Sequence, residues 1–217
     1  MYIKNKMPHL QFPTTYVYWE NVNDHDHLKR KYMPIIDKLE QTNRDKLKNK
    51  FDNCTVKYMS IKSGNKINSF LEREDINRII WNPIDNFIKE INSTYNCKIN
   101  VKDSIINNYW FNTYDVHDHQ EFHCHNGIPI VRNGKMYHPT FSGVYILNDE
   151  NKSSSIVFKT SITPFEHTIE PYTFDTRDNN DIKEGAVIIF PNCLEHMVKK
   201  CIKPGRRTIA FNIFSML

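Results

Sequence analysis

Glycine is scarce in this chain, with six residues in 217, and no stretch has the composition of a flexible or low-complexity linker. Cysteine is present but unpatterned: Cys54, Cys97, Cys124, Cys193 and Cys201 are odd in number and scattered, with no C-x-x-C pair. That excludes a disulfide framework and reads as thiols of a reducing compartment. Long apolar runs are missing too. None approaches the length of a membrane span, and Met1–Pro13 lacks the apolar core of a secretory leader, so the expected location is the cytoplasm. A concentrated basic block is also absent. The net charge of +4 is spread along the chain, which allows weak attraction to anions and does not indicate nucleic acid. With no internal repeat, and with enough length to bury a core without disulfides, residues 1–217 are expected to form one domain.

What is present divides into two textures. Residues 26–50 mix charged and apolar positions at helical spacing, with Asp26 placed to cap, which predicts one helix or two broken near Pro34. Residues 74–95 carry Ile76, Ile79, Ile80, Ile84, Phe87 and Ile91 as an apolar stripe, which predicts a second helix. Residues 1–104 therefore read as a mostly helical support region. From about residue 105 the chain turns to short β-rich runs bounded by turn residues: "NYWFNTYDV", "FSGVYIL", "SIVFK", "HTIEPYTF", "GAVIIFP", "EHMVKK" and "RTIAFNIF". Many short strands without intervening helices predict a sandwich or jelly roll over 105–217. Within it "IPIVRNGKMYH" reads as a hairpin turning at Asn133 and Gly134, residues that tolerate positive φ.

The stretch "HDHQEFHCH" carries the chemistry. Residues i and i+2 of a strand share a face, so His123 and His125 are expected to project side by side and offer two metal ligands. A third ligand must come from a later strand, and the candidates are His138, His167 and His196. His119 and Glu121 form an H-x-E pair, so a second assignment is open. Arg206 alternates with Thr208, Ala210 and Asn212 on one face of a predicted strand, opposite Arg207, Ile209 and Phe211. Arg207 lies on the more apolar side, so periodicity leaves open which face turns inward.

Five motifs in order, "WFNTY" (Trp110–Tyr114), "HCH" (His123–His125), "SGVYIL" (Ser142–Leu147), "GAVIIFPNCLEHMV" (Gly185–Val198) and "RRTIAFN" (Arg206–Asn212), resemble the Fe(II)- and 2-oxoglutarate-dependent oxygenases, within them a phage and marine-bacterial group. The opening "LQFPTTYVYW" is similar to that group as well. The resemblance implies a double-stranded β-helix, cupin-like, with helices outside. It also implies Fe(II) held by His123, His125 and His196, with 2-oxoglutarate as cosubstrate and dioxygen and a further substrate as partners. Arg206 would pair with the distal carboxylate of 2-oxoglutarate, since its planar fork matches a carboxylate better than a lysine does. Thr208 would donate to the same group, and Asn112 and Tyr114 would contact the cosubstrate.

The chain departs from the family at one ligand. Non-haem iron oxygenases normally use two histidines and one carboxylate, and here the middle position is His125. An all-nitrogen triad also suits zinc or nickel, so a cupin-like metal-binding protein without oxygenase turnover is the alternative expectation. His123 and His125 are preferred over His119 and Glu121 because "WFNTY" then falls at the family's distance upstream. Cys124, between the ligands, is expected to face away and pack. His25, Asp26 and His27 sit at a helix start, where capping and exposure explain them.

Overall fold

The computed structural model describes residues 16–42, 57–62, 70–95, 98–150, 152–159 and 173–216. In chain order the elements are β1 (Tyr18–Asn21), α1 (His25–Thr42), β2 (Lys57–Lys62), α2 (Arg73–Ile76), a π-helical turn (Asn77–Trp81), α3 (Asn82–Tyr95), β3 (Ser104–Tyr114), β4 (Gln120–His123), β5 (Ile130–Arg132), β6 (Lys135–Asn148), β7 (Ile156–Lys159), β8 (Thr173–Asp175), β9 (Ala186–Pro191), β10 (Glu195–Val198) and β11 (Arg206–Ser215). The larger sheet runs β1-β9-β6-β11-β3-β2, with β5 added to the end of β6, and the smaller runs β4-β10-β7-β8. Every strand pair is antiparallel. This is the two-sheet jelly roll that the strand texture predicts.

The larger sheet is buried on both faces, and strand alternation assigns each residue to one of two cores. Tyr109, Phe111, Tyr145, Leu147, Val187, Ile189, Ile209 and Phe211 face outward against Leu28, Tyr32 and Ile36 of α1 and Ile80, Ile84 and Phe87 of the second helical segment. Tyr114, Val144, Ile146, Ile188, Phe190 and Ala210 face inward toward Ile156, Phe158 and Val198 of the smaller sheet. Gly143 belongs to this packing. It pairs with Phe211 across the strands, and a Cβ at that position would lie 2.1 Å from the Phe211 ring. The glycine in "SGVYIL" is where an aromatic ring lies flat on the sheet.

Both helices adapt to a proline. Pro34 lies within an unbroken α1, exposed, so the carbonyl it deprives of a donor meets water. Pro83 is buried, and the segment accommodates it with the preceding π turn, continuing through αR dihedrals at Ile76, Asn77 and Asn82 into α3. The stripe predicted from the sequence is the buried face: Ile79, Ile80, Ile84, Phe87 and Ile91 are buried, while Ile76 is half-buried.

Residues 1–104 supply two strands beside their helices, with β1 and β2 at the two edges of the larger sheet. Two expectations at the start of α1 are corrected. Helix α1 begins at His25, which places Asp26 inside the first turn rather than at the cap. His25 is no exposed cap residue: its Nδ1 lies 2.7 Å from the Tyr145 hydroxyl and its Nε2 3.2 Å from Glu184. The end of the helix predicted over 26–50, most of "HTIEPYTF", His167, Cys54 and Cys97 lie outside the described residues. The hairpin forms as predicted, with φ of 52° at Asn133 and 72° at Gly134. Among the described residues, no helix is long and apolar enough to cross a membrane.

Candidate metal centre

The antiparallel register of β4 and β10 sets His123 directly opposite His196. His125 comes from a different local structure than the sequence suggests, because β4 ends at His123 and His125 lies in the irregular segment after it. Its backbone N–H donates to Asn192 O at 2.8 Å, which ties that segment to the end of β9. The three imidazoles then converge, with centroids 5.3 Å (His123–His125), 4.3 Å (His123–His196) and 5.0 Å (His125–His196) apart. One ligand atom from each lies within 4.8 Å of the others, close enough for small ring rotations to bring them onto one ion.

Hydrogen bonding decides which nitrogen each ring offers. Nδ1 of His123 meets Glu121 O at 2.7 Å, and Nδ1 of His196 meets Leu194 O at 2.9 Å. A carbonyl only accepts, so both Nδ1 atoms carry the proton and the lone pair sits on Nε2. His125 Nδ1 lies 2.9 Å from Asn212 Oδ1 and 2.9 Å from Ser142 Oγ, with Ser142 itself donating to Asn212. This again places the proton on Nδ1. On all three rings Nδ1 is thus the protonated nitrogen and Nε2 carries the lone pair, and the Nδ1 partners are of the kind that orient metal-bound histidines. Burial lowers the pKa of each: His125 falls to about 4, with His123 adding to the effect, His196 falls well below 6.5, and His123 falls as well. At neutral pH the rings are uncharged, the state a metal ligand requires.

Arg206 resolves the ambiguity over faces. It points inward, 2% exposed, while Arg207 points outward and pairs with Glu40 (3.1 Å) and Asp37 (3.4 Å) of α1. Both faces of β11 are buried, which is why hydrophobic periodicity could not rank them. The Arg206 Nε donates to Asp149 Oδ2 at 3.0 Å, and its guanidinium carbon lies 4.9 Å from the centre of the Tyr114 ring. Burial opposes the charge, but Tyr114 and Asp149 outweigh it and hold the pKa above its ordinary value. Among the described residues, Arg206 Nη1 has no hydrogen-bond partner, although it is buried. An orphaned charged donor costs about 1–3 kcal/mol or more. Asn112 Nδ2 donates to Thr208 Oγ1 at 3.0 Å, which leaves the Thr208 proton available, and Asn112 Oδ1 is likewise unsatisfied.

Arg206, Thr208, Asn112, Tyr114 and the three histidines line one narrow pocket, walled by Trp110, Val144, Ile156 and Val198. All seven residues singled out in the sequence are therefore brought together. His138 lies on β6 beside Ser215 and does not join the cluster. Glu121 contributes only its backbone carbonyl and its side chain is exposed, while His119 contacts the carbonyl of His117 at 3.3 Å. Cys124 stays outside the cluster, next to Asn126 Nδ2 at 3.0 Å. Sequence reasoning missed Asp149 and Gln120, whose Oε1 accepts from the Tyr114 hydroxyl at 3.1 Å. Ser142 and Asn212 were visible as motif members without a role. A more open cleft near Trp81, Asp85 and Lys102 contains no such convergence.

The architecture is the double-stranded β-helix of the 2-oxoglutarate- and Fe(II)-dependent oxygenases. The chain is similar to a prolyl-4-hydroxylase from Pseudomonas putida, with a TM-score of 0.57 and 12% identity over 94% of each chain. It is similar to HygX from Streptomyces hygroscopicus with nickel and 2-oxoglutarate bound, with a TM-score of 0.53 and 10% identity over 94% of this chain and 83% of that one. A viral collagen prolyl hydroxylase from Paramecium Bursaria Chlorella virus-1, in its 2-oxoglutarate complex, gives a TM-score of 0.51 and 13% identity over 93% and 97%. No family model and no curated protein matches the chain.

Proposed function

We propose that the chain is an Fe(II)- and 2-oxoglutarate-dependent dioxygenase that hydroxylates a substrate yet to be identified. The observation that carries this reading is the shared pocket of three neutral imidazoles offering Nε2 and a buried guanidinium whose Nη1 has no partner among the described residues. Nitrogen donors suit a ferrous ion, and three on one side leave coordination positions for a bidentate cosubstrate and dioxygen. The orphaned Nη1 and the available Thr208 proton are a matched pair of donors for the distal carboxylate of 2-oxoglutarate, so the residues present fit both groups. The likeness to one structure that holds nickel and 2-oxoglutarate and to another that holds 2-oxoglutarate supports the same reading.

In this reading His123, His125 and His196 hold the ion, Arg206 and Thr208 hold the cosubstrate tail, and Asn112 and Tyr114 line its path. Bound there, the iron and its cosubstrate supply the oxidising power for C–H hydroxylation, with succinate and carbon dioxide released. The chain binds, orients and shields. Glu121 O, Leu194 O and Asn212 fix the imidazole planes; Arg206, held by Asp149, fixes the far end of the cosubstrate; Val144, Ile156 and Val198 keep the walls dry. The hairpin of β5 and β6, which follows His125 directly, exposes Val131 and Met136, with Ile128 just before it at 84% exposure. We assign this segment to the rim that meets the substrate.

A second reading has its own observation: the triad lacks a carboxylate, so the ligands bring no negative charge, and zinc or nickel in a non-catalytic cupin-like site would be satisfied by it. Anaerobic titration with Fe(II) and 2-oxoglutarate separates the two. A visible charge-transfer band is expected in the wild type, lost in His125→Ala and weakened in Arg206→Ala. A wild type that shows no band and binds zinc regardless of 2-oxoglutarate would put the metal-binding reading first, and a band that survives His125→Ala would move the assignment to Glu121.

A further inference from the structure

Behind Arg206 stands a carboxylate whose charge the reaction outlined above leaves without a role. Asp149 is 7% exposed and directly follows β6. Its oxygens are divided: Oδ1 accepts from the Ser153 backbone N–H at 2.7 Å and from the Ser153 hydroxyl, and Oδ2 accepts from Arg206 Nε at 3.0 Å. Its own N–H donates to Glu184 Oε2 at 2.8 Å, and Glu184 is held by Lys29 at 2.7 Å and His25 at 3.2 Å. The carboxylate is therefore braced from the outer helix as well as from its own loop. By taking Nε, it fixes the guanidinium plane and leaves Nη1 as the donor without a partner among the described residues.

We propose that Asp149 is a positioning residue that supplies, through Arg206, the negative charge absent from the metal ligands; this rests on the oxygenase reading above. The charge count motivates it. A divalent ion, a dicarboxylate, one guanidinium and one carboxylate sum to zero, and so does a set whose carboxylate is a metal ligand and whose guanidinium stands alone. In this chain the ligands are three neutral imidazoles, and the carboxylate stands behind the guanidinium instead. Without it the loaded site would carry a net positive charge where water screens weakly. Placed there, Asp149 strengthens the hold on the cation and tempers the attraction of Arg206 for anions.

Those two effects have opposite signs, and a purely structural brace would not produce them. The test uses the full chain, with Ni(II) as a redox-silent probe and 2-oxoglutarate titrated onto the Ni(II)-loaded protein, both followed by calorimetry. Asp149→Asn keeps the shape and an acceptor oxygen. It is expected to weaken Ni(II) binding on the order of tenfold and to tighten 2-oxoglutarate binding by a similar factor. Adding His125→Asp to that variant returns a carboxylate to the metal and is expected to restore Ni(II) affinity. Arg206→Gln/Asp149→Asn removes both charges, so no buried cation is left unpaired if the single variant fails to fold. It should bind Ni(II) like the wild type and lose 2-oxoglutarate. If both affinities fall together in Asp149→Asn with no rescue, or neither changes, or the neutral double variant loses Ni(II), the inference is overturned. A wild type that binds Ni(II) but not 2-oxoglutarate overturns the oxygenase reading itself, and this inference with it.

Discussion

At the scale of single residues, the proposed metal site depends on groups outside the histidine triad. Asn212 and Ser142 fix the His125 ring through its Nδ1, and they come from adjacent strands, β11 and β6, where they pair directly. Removing such a partner typically costs 10–100-fold in metal affinity. Asn212→Ala is therefore expected to weaken Ni(II) or Fe(II) binding by about that factor while the fold persists, as calorimetry and circular dichroism would report; unchanged affinity would show that the His125 tautomer is set by something else. These two residues were legible in the sequence as motif positions, but their task was not, because a hydrogen bond between residues 142, 212 and 125 is a product of strand pairing. Asp149 was not legible at all: nothing in its neighbours along the chain distinguishes it from an ordinary turn carboxylate.

At the scale of elements, sequence patterns worked where one face of a segment meets water and stalled where both are buried. The stripe from Ile79 to Ile91 read correctly because the π turn and α3 together present one apolar face. Strand β11 read ambiguously because Ile209 and Phe211 fill the outer core while Thr208 and Ala210 line the pocket. Strands β1 and β2 were missed, β1 being only four residues long and β2 lying in the half of the chain that reads as mostly helical. Close packing on the sheet makes Gly143 intolerant of a side chain. Gly143→Ala drives a methyl into the Phe211 ring and is expected to destabilise the protein by about 1–3 kcal/mol, seen as a lower denaturant midpoint. The rim hairpin should behave in the opposite way. Replacing residues 128–137 by a short turn is expected to leave Ni(II) binding and the midpoint within error while altering which substrates are turned over; loss of metal would show that the segment belongs to the site.

At the scale of the whole molecule, burying three neutral imidazoles couples the site to the stability of the fold. His125 titrates at about 4 when folded against 6.5 ordinarily, and His123 and His196 are lowered in the same direction. Between those values the unfolded chain binds more protons than the folded one, so stability rises with pH across that window and falls on acidification from about 6.5 toward 4. Asp75, Asp175 and Glu184 are also held below their ordinary values, mainly by Lys31, Lys199 and Lys29 acting against burial, so their contribution is lost at still lower pH. Apo-protein melting followed from pH 7.5 to 4 should show a progressive decline beginning near 6.5, and His125→Asn should flatten part of it. A flat profile through that range would show that the rings take up protons as readily folded as unfolded.

The alternation along β11 also limits how this protein can change over generations. Odd positions from Arg207 to Ile213 anchor the helices and even positions from Arg206 to Asn212 serve the pocket, so inserting or deleting one residue in the strand exchanges the two sets at a stroke. Chemistry and scaffold are inherited there as a single unit. On the proposed reading, novelty in what the protein acts on falls instead to the exposed hairpin, where length and sequence can drift without disturbing either core.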